Sequence, residues 1–410
     1  MSSINAIDAV DLRNGIEVVD GQYLLPPGIL EIVAPIRISG SSVELKGAVE
    51  NGRLLTTIRR GKVSEDAFFE GPLIEIANCT SGLISDFIVD GARFSHTSES
   101  NGDLRHPLSS DNTTPQFLCG RWVLAPDCHD PALRGSPFNP SVSIVHSKCL
   151  QISKVYIRNS VSIGLAVGPY SDDIGISECQ FSYAGDYGIW IGSGLPEDIV
   201  LPLDSEVFER LPKNIKLENC IIEKSGAAGL YIDAVHCLIK KSYLLQNHFD
   251  APYDDESGQV VIGYKSNNIK IIKCTILSGS IVKRNNIDFS DRKFLGTFGI
   301  EASGNGLVFE DLIISGHYRE GIQFLGASNV DIVGNGTRIV NNHIYDGGES
   351  AIENNPNISI STTAQLRDLG AISKNFNIRD ISCENGLVVW KHPSAPELIV
   401  EGVVVENCKF

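Results

Sequence analysis

Carboxylates standing close to aromatic rings are the residues of this chain best suited to chemistry. Asp233 follows Tyr231 by two positions, Trp190 lies four positions beyond Asp186, and Glu301 comes later in a similar short apolar context. Two acids are the minimum for glycoside hydrolysis, with roughly 5 Å between them for retention and roughly 6.5 to 9.5 Å for inversion. Aromatic rings beside such acids suit a sugar, because the C–H face of the ring stacks on them while acids bind hydroxyls and move protons. The candidate acids are therefore Asp233, Glu301 and Asp186. The candidate substrate-binding residues are Trp190, Tyr231, Gln323, His236, Arg319 and Trp390. The plainer reading is that exposed Trp and Tyr pack under loops and that acids bond the backbone of corners.

These residues act together only if the chain brings them to one wall, and an internal repeat supplies the means. The segments ISDFIV (84–89), ISKVYI (152–157), ISECQF (176–181), LENCII (217–222), IKKSYL (239–244), IIKCTI (271–276), FEDLII (309–314) and VENCKF (405–410) share one pattern. The closest neighbours are 24 residues (Ile152 to Ile176) and 22 residues (Leu217 to Ile239) apart. Before most of them stands a short alternating segment, such as GLAVG (164–168), GIWIG (188–192), GLYID (229–233), GIEAS (299–303) and GIQFL (321–325). Alternation at period two means one buried and one exposed face. Three short strands in each two dozen residues predict the coil of a parallel β-helix.

Phasing each first strand by its aliphatics predicts two outward rows. One runs Glu75, Ser143, Ala166, Trp190, Tyr231, Val261, Glu301, Gln323, Val388; the other runs Ala77, Val145, Gly168, Gly192, Asp233, Gly263, Ser303, Leu325, Trp390. Asp233 and Glu301 are then two rungs apart, roughly 10 Å along the axis, whereas Asp186 and Asp233 lie on adjacent rungs. Insertions at about 95–140, 246–258 and 278–298 follow third strands, and one at 195–212 follows a first strand. All flank the first strand, so they predict a groove walled on both sides. The coil within 345–375 does not phase. Cys179, Cys220, Cys274 and Cys408, with Ser242, fall at one position of the repeat and read as a ladder of buried small residues.

The segment GQYLLPPGILEIVAPIRISGSSVELKG (21–47) resembles the entry of pectin-lyase-like proteins. That resemblance covers most of the chain and implies a single all-β domain over 1–410. It would be one right-handed parallel β-helix solenoid with long loops flanking the first-strand sheet, an entry and cap over 1–45, and coils over 46–410. GDYGIWIGSG (185–194) is loosely similar to a segment of the polygalacturonase-type glycoside hydrolases whose first Asp is catalytic, which implies a proton-donor role for Asp186. The second Asp of that segment is Tyr187 here, and the family's G-H-G and R-I-K motifs are missing, which argues against polygalacturonase activity itself.

The formal charge of −16 repels nucleic acid and anionic membranes. No run of 18 apolar residues is present to span a membrane, and no signal peptide is visible, so a cytoplasmic setting with reduced thiols is the expectation. No cysteine pair has C-x-x-C spacing. The acid runs Ser171-Asp172-Asp173 and Tyr253-Asp254-Asp255-Glu256 have oxygens for a hard cation, but solvated surface is the plainer reading, and no metal or cofactor is expected. Phe410 ends in a third strand, which predicts loops or a second copy over that end and leaves homo-oligomer formation open. The leading functional expectation is a glycoside hydrolase or transglycosidase acting on an oligo- or polysaccharide through paired carboxylates. A polysaccharide lyase or uronate epimerase comes second, with Arg319 or Lys265 as base or charge neutraliser. A non-catalytic glycan-binding β-helix and a small-metabolite cyclase or isomerase are the remaining alternatives.

Overall fold

The computed structural model describes residues 4–64, 69, 71–92, 116–118, 121–123, 140–185, 187–192, 205–226, 228–247, 258–278, 298–317, 319–342 and 356–410. They form a right-handed parallel β-helix whose strands join in one 30-stranded sheet system. A representative coil has a first strand Ile189–Ile191, a second Lys213–Glu218 and a third Ile221–Glu223. The next coil repeats it as Leu230–Ile232, Val235–Lys240 and Tyr243–Leu245, each strand pairing in parallel with its counterpart.

The alternation of the first strands fixes what faces inward. Ile144, Val167, Ile191, Ile232, Ile262, Ala302, Phe324 and Ile360 stack in register as one core ladder, each buried. Ala302 is the small member, and volume returns beside it. The Phe324 ring meets Phe309 and Phe376 edge-on at centroid distances of 5.8 and 5.2 Å, a favourable geometry for quadrupolar rings.

The corner between second and third strands is one residue in left-handed conformation. Glu178, Asn219, Lys241, Lys273 and Asp311 take φ of 50–56°. This sharp turn points the following residue inward, which gives the ladder Cys179, Cys220, Ser242, Cys274 and Leu312. The sulfurs and hydroxyl serve backbone groups: Cys220 N–H donates to Ser242 Oγ at 3.2 Å, and Ser242 N–H to Cys274 Sγ at 3.5 Å. Cys408 is half-buried in the last coil. Burial pushes the Cys274 thiol up to about 11 and Cys237 up to about 12, so these are inert packing groups.

The described part of 345–375, from residue 356 on, belongs to a coil in register with its neighbours. Its first strand is Ile358–Ser361, pairing with Ile322–Val333 on one side and Leu387–Val389 on the other. Two features hide it from pattern reading. Asn357 replaces the usual corner glycine, its side chain accepting from Asn342 Nδ2 at 2.6 Å, and the outward residues Ser359 and Ser361 are buried. A short helix, Ala364–Asp368, fills the next turn, capped by Thr363. Parallel pairing also begins upstream of position 46, since Ile4–Ala6 pairs with Ile16–Leu24 and that strand with Ile36–Lys46. Of the insertions, 195–212 contains a helix over Ser205–Arg210 and 95–140 a small antiparallel hairpin; residues 195–204, and most of 95–140, 246–258 and 278–298, lie outside the described residues. Among the described residues no helix is long and apolar enough to cross a membrane, and nothing folds over the last strand, Glu401–Glu406, where Ile399 and Phe410 are 69% and 62% exposed.

Candidate functional site

The first-strand register stacks the outward row as the alternation predicts. Ser143, Ala166, Trp190, Tyr231, Val261, Glu301 and Gln323 follow one another on successive rungs. The row then continues through Ser359 to Val388. Trp190, Tyr231 and Glu301 therefore share one wall.

Trp190 and Tyr231 stack with centroids 3.9 Å apart and planes inclined by 7°. Because they belong to adjacent rungs, their normals run along the solenoid axis, and the rings stand out from the sheet like pages. Tyr187, at the entrance of the same coil, packs edge-on against both, at 5.1 and 5.8 Å.

Asp233 lies two residues along the strand from Tyr231, whose hydroxyl donates to Asp233 Oδ2 at 3.1 Å. The carboxylate leans over the next rung, where Gly263 leaves room for it. A Cβ at 263 would lie 2.2 Å from Asp233 Oδ1 and 2.6 Å from Cγ. On the other side Gly192 leaves more room, its Cβ position 3.1 Å from Trp190 Nε1 and 3.5 Å from Asp233 Cβ. The two glycines frame Asp233, which is 8% exposed despite its outward position. Glu301 is two rungs past Tyr231, with one carboxylate oxygen shielded from solvent, and Gln323 is its next-rung neighbour and buried. Lys265, 3% exposed, follows Gly263 in the turn after that strand, its ammonium 5.5 Å from the Tyr264 ring centre.

The remaining candidates separate from this group. Trp390 shares Asp233's row but lies five rungs further, roughly 24 Å away at about 4.8 Å per rung, and packs against His392 at 5.1 Å. His236 is an exposed corner residue with φ of 58°, in the position that Asn214 and Asn268 hold in neighbouring coils. Its side chain belongs to that turn ladder and not to the floor. Arg319 precedes its first strand, its guanidinium stacked 4.4 Å from the Phe298 ring and paired with buried Glu320 at 3.5 Å. Asp186 lies outside the described residues.

Tyr187 joins this group although it stands where the polygalacturonase-type segment has an Asp. Its place directly before Gly188, at the mouth of the Trp190 strand, was the available signal. Among the described residues no three His, Cys, Asp or Glu side chains gather as a metal site. Asp172 instead accepts from Asn214 Nδ2 at 2.7 Å, Asp173 takes a corner φ of 55°, and 253–256 falls outside the described residues.

No protein-family model matches the chain, and no curated protein matches it by sequence. Solved structures do. The mannuronan C-5 epimerase AlgE6 A-module of Azotobacter vinelandii superposes with a TM-score of 0.56 at 12% identity, over 95% of this chain and 87% of that one. The AlgE4 A-module of the same organism gives 0.52 at 11%, over 95% and 89%. A double mutant of the periplasmic alginate epimerase AlgG gives 0.51 at 9%, over 97% and 78%. At these identities the likeness establishes the shared parallel β-helix fold.

Proposed function

We propose that this chain is a polysaccharide-acting enzyme, a glycoside hydrolase or transglycosidase, with Asp233 and Glu301 as its acid–base pair. The observation that carries this reading is the placement of Tyr231 and Glu301 two rungs apart on one row, with the Asp233 carboxylate held by the Tyr231 hydroxyl over Gly263 on the rung between them. Two rungs amount to roughly 10 Å, which admits one sugar ring stacked on Tyr231 with a carboxylate at either side. Tyr231 then has two tasks. Its face carries the sugar, and its hydroxyl holds Asp233 in the rotamer that reaches over Gly263. Asp233 would pass a proton to or from the linkage, and Glu301 would serve the opposite side, which general acid–base catalysis requires.

A second reading, a uronate C5-epimerase or lyase, is favoured by buried Lys265, two residues beyond the glycine under Asp233. A cation there would neutralise a uronate carboxylate, with the Tyr231–Asp233 pair moving the ring proton. The β-helix neighbours that act on mannuronan and alginate fit this reading in fold.

One experiment separates them. The chain is incubated with neutral and uronate glycans in deuterated water, following reducing ends, unsaturated-uronate absorbance and deuterium at the ring carbons. New reducing ends that fall about 10²- to 10⁴-fold in Asp233→Asn or Glu301→Gln support the hydrolase. Absorbance or ring deuterium supports the second reading instead. Silence in all three channels with glycan binding retained leaves a non-catalytic binding solenoid and ends both.

A further inference from the structure

The second-strand sheet changes sign along the solenoid. The second strand and corner at 172–178 carry Asp172, Asp173 and Glu178 and no Lys or Arg, and those at 305–311 carry Glu310 and Asp311 and again no Lys or Arg. Between them lie three coils of opposite character. Residues 213–219, 235–241 and 267–273 hold six lysines and one acid, Glu218, on a chain whose formal charge is −16. Such a reversal focuses the field on the patch, because its surroundings repel the anions that it attracts.

Register places these side chains on one face. Lys216, Leu238 and Lys270 follow one another on successive rungs, as do Glu218, Lys240 and Ile272. Lys216 Nζ lies 2.8 Å from Glu218 Oε2, and Lys240 Nζ lies 4.0 Å from Oε1, so one carboxylate serves two cations. The hydrogen bond from Lys216, together with the charges of Lys216, Lys240 and Lys241, holds that carboxyl below its ordinary range. Lys241, Lys270 and Lys273 are exposed, and among the described residues none of them pairs with an acid. Lys241 and Lys273 stand one rung apart on the same one-residue corner, with φ of 50° and 56°. Like charges on neighbouring strands destabilise each other. Packing does not ask for lysine there, since Asn219 and Asp311 fill that corner on the rungs to either side.

We infer that this face binds a single strand of an acidic polysaccharide, with sugar carboxylates meeting the lysines. The three rungs span roughly 10 Å along the axis, and acids bound them on both sides. A nucleic-acid duplex or an anionic lipid surface laid here would overlap those acids, whereas a lone glycan strand running across the coils stays on the basic rungs. Just past the corner, two residues beyond Lys241, Tyr243 is 50% exposed and offers a ring on which a sugar can stack. The face belongs to a different sheet from Asp233, so it would hold polymer without acting on it. The proposal does not depend on which reaction the groove performs.

The test is fluorescence anisotropy of labelled hexagalacturonate titrated with the whole chain at two salt concentrations, beside maltohexaose as the neutral glycan. Uronate binding that weakens as salt rises is expected. Lys241→Asn/Lys273→Asn installs a residue that the left-handed corner favours. It should weaken uronate binding about tenfold without lowering the melting temperature, and leave maltohexaose as in the parent chain. Glu218→Gln releases Lys216 and Lys240 and should tighten uronate binding severalfold. Tyr231→Ala, in the groove, should leave the salt-dependent binding in place. Uronate binding that is absent, unchanged in the double variant, or abolished by Tyr231→Ala overturns the assignment, whatever turnover shows. Equal competition by a single-stranded DNA hexamer or by phosphatidylserine vesicles overturns it too, since the face would then take anions in general.

Discussion

Replacing Gly263 by alanine strikes the candidate site without touching any of its functional groups. The added methyl would occupy a point 2.2 Å from Asp233 Oδ1, 2.6 Å from Cγ and 2.9 Å from Oδ2. Ordinary van der Waals contact needs more than about 3.4 Å, so the carboxylate must retreat by roughly 1 Å, which is the scale of misplacement that costs about 10²-fold in rate. The same retreat breaks the 3.1 Å hydrogen bond from Tyr231. Overpacking should cost about 1–3 kcal/mol in stability, which a solenoid of this length tolerates. Two controls share the row. In Gly192→Ala the nearest atoms are 3.1 Å and 3.5 Å away, so its effect should be several times smaller. In Gly168→Ala the methyl meets Val145 Cγ1 at 2.8 Å and no carboxylate, so it should cost stability and spare turnover. The assay is initial rate on the active glycan beside thermal unfolding of each variant. If Gly263→Ala and Gly168→Ala lose activity equally, or neither does, the carboxylate is not where the reaction needs it, and the assignment of Asp233 fails.

Three further outcomes are expected. Trp190→Ala removes half of the aromatic stack and should weaken glycan affinity roughly tenfold by affinity electrophoresis; unchanged affinity would mean the stack only supports Tyr231. Cys237 and Cys274, whose thiols burial raises to about 12 and about 11, should resist iodoacetamide near pH 8 until denaturant is added, as peptide mass spectrometry would show. Asp20 accepts from the backbone N–H of Ser42 at 2.9 Å and of Ser41 at 2.6 Å, and from the Ser41 hydroxyl at 3.0 Å, contacts that hold its carboxyl below the ordinary range. A lowered folded-state value stabilises above the unfolded pKa of about 3.9 and is lost as pH falls through the folded value. Asp20→Ala should therefore lower the melting temperature at neutral pH, and the gap from the parent chain should close below about pH 4.

The sequence determined the solenoid and the face on which its site would lie, because period-two alternation repeated every two dozen residues leaves the inward and outward sets little choice. Trp190, Tyr231 and Glu301 could be placed on one wall before any coordinates, since register in a parallel stack depends only on counting from one buried aliphatic to the next. Counting fails where a coil lacks its marker, as at Asn357, and where an insertion breaks the period. Tertiary structure decided what counting does not carry. Side-chain direction made Tyr231 both a stacking partner of Trp190 and a tether for Asp233, and it gave Gly263 the task of leaving space. Corner geometry took His236 off the floor, and accumulated rungs took Trp390 out of reach. The cluster of Arg13, Arg59, Arg60 and Lys62 near the amino-terminal end is the clearest case. Arg13 comes from a helix while Arg59, Arg60 and Lys62 come from a strand and its exit some 46–49 residues later, and only the closing of the first coils brings the two together.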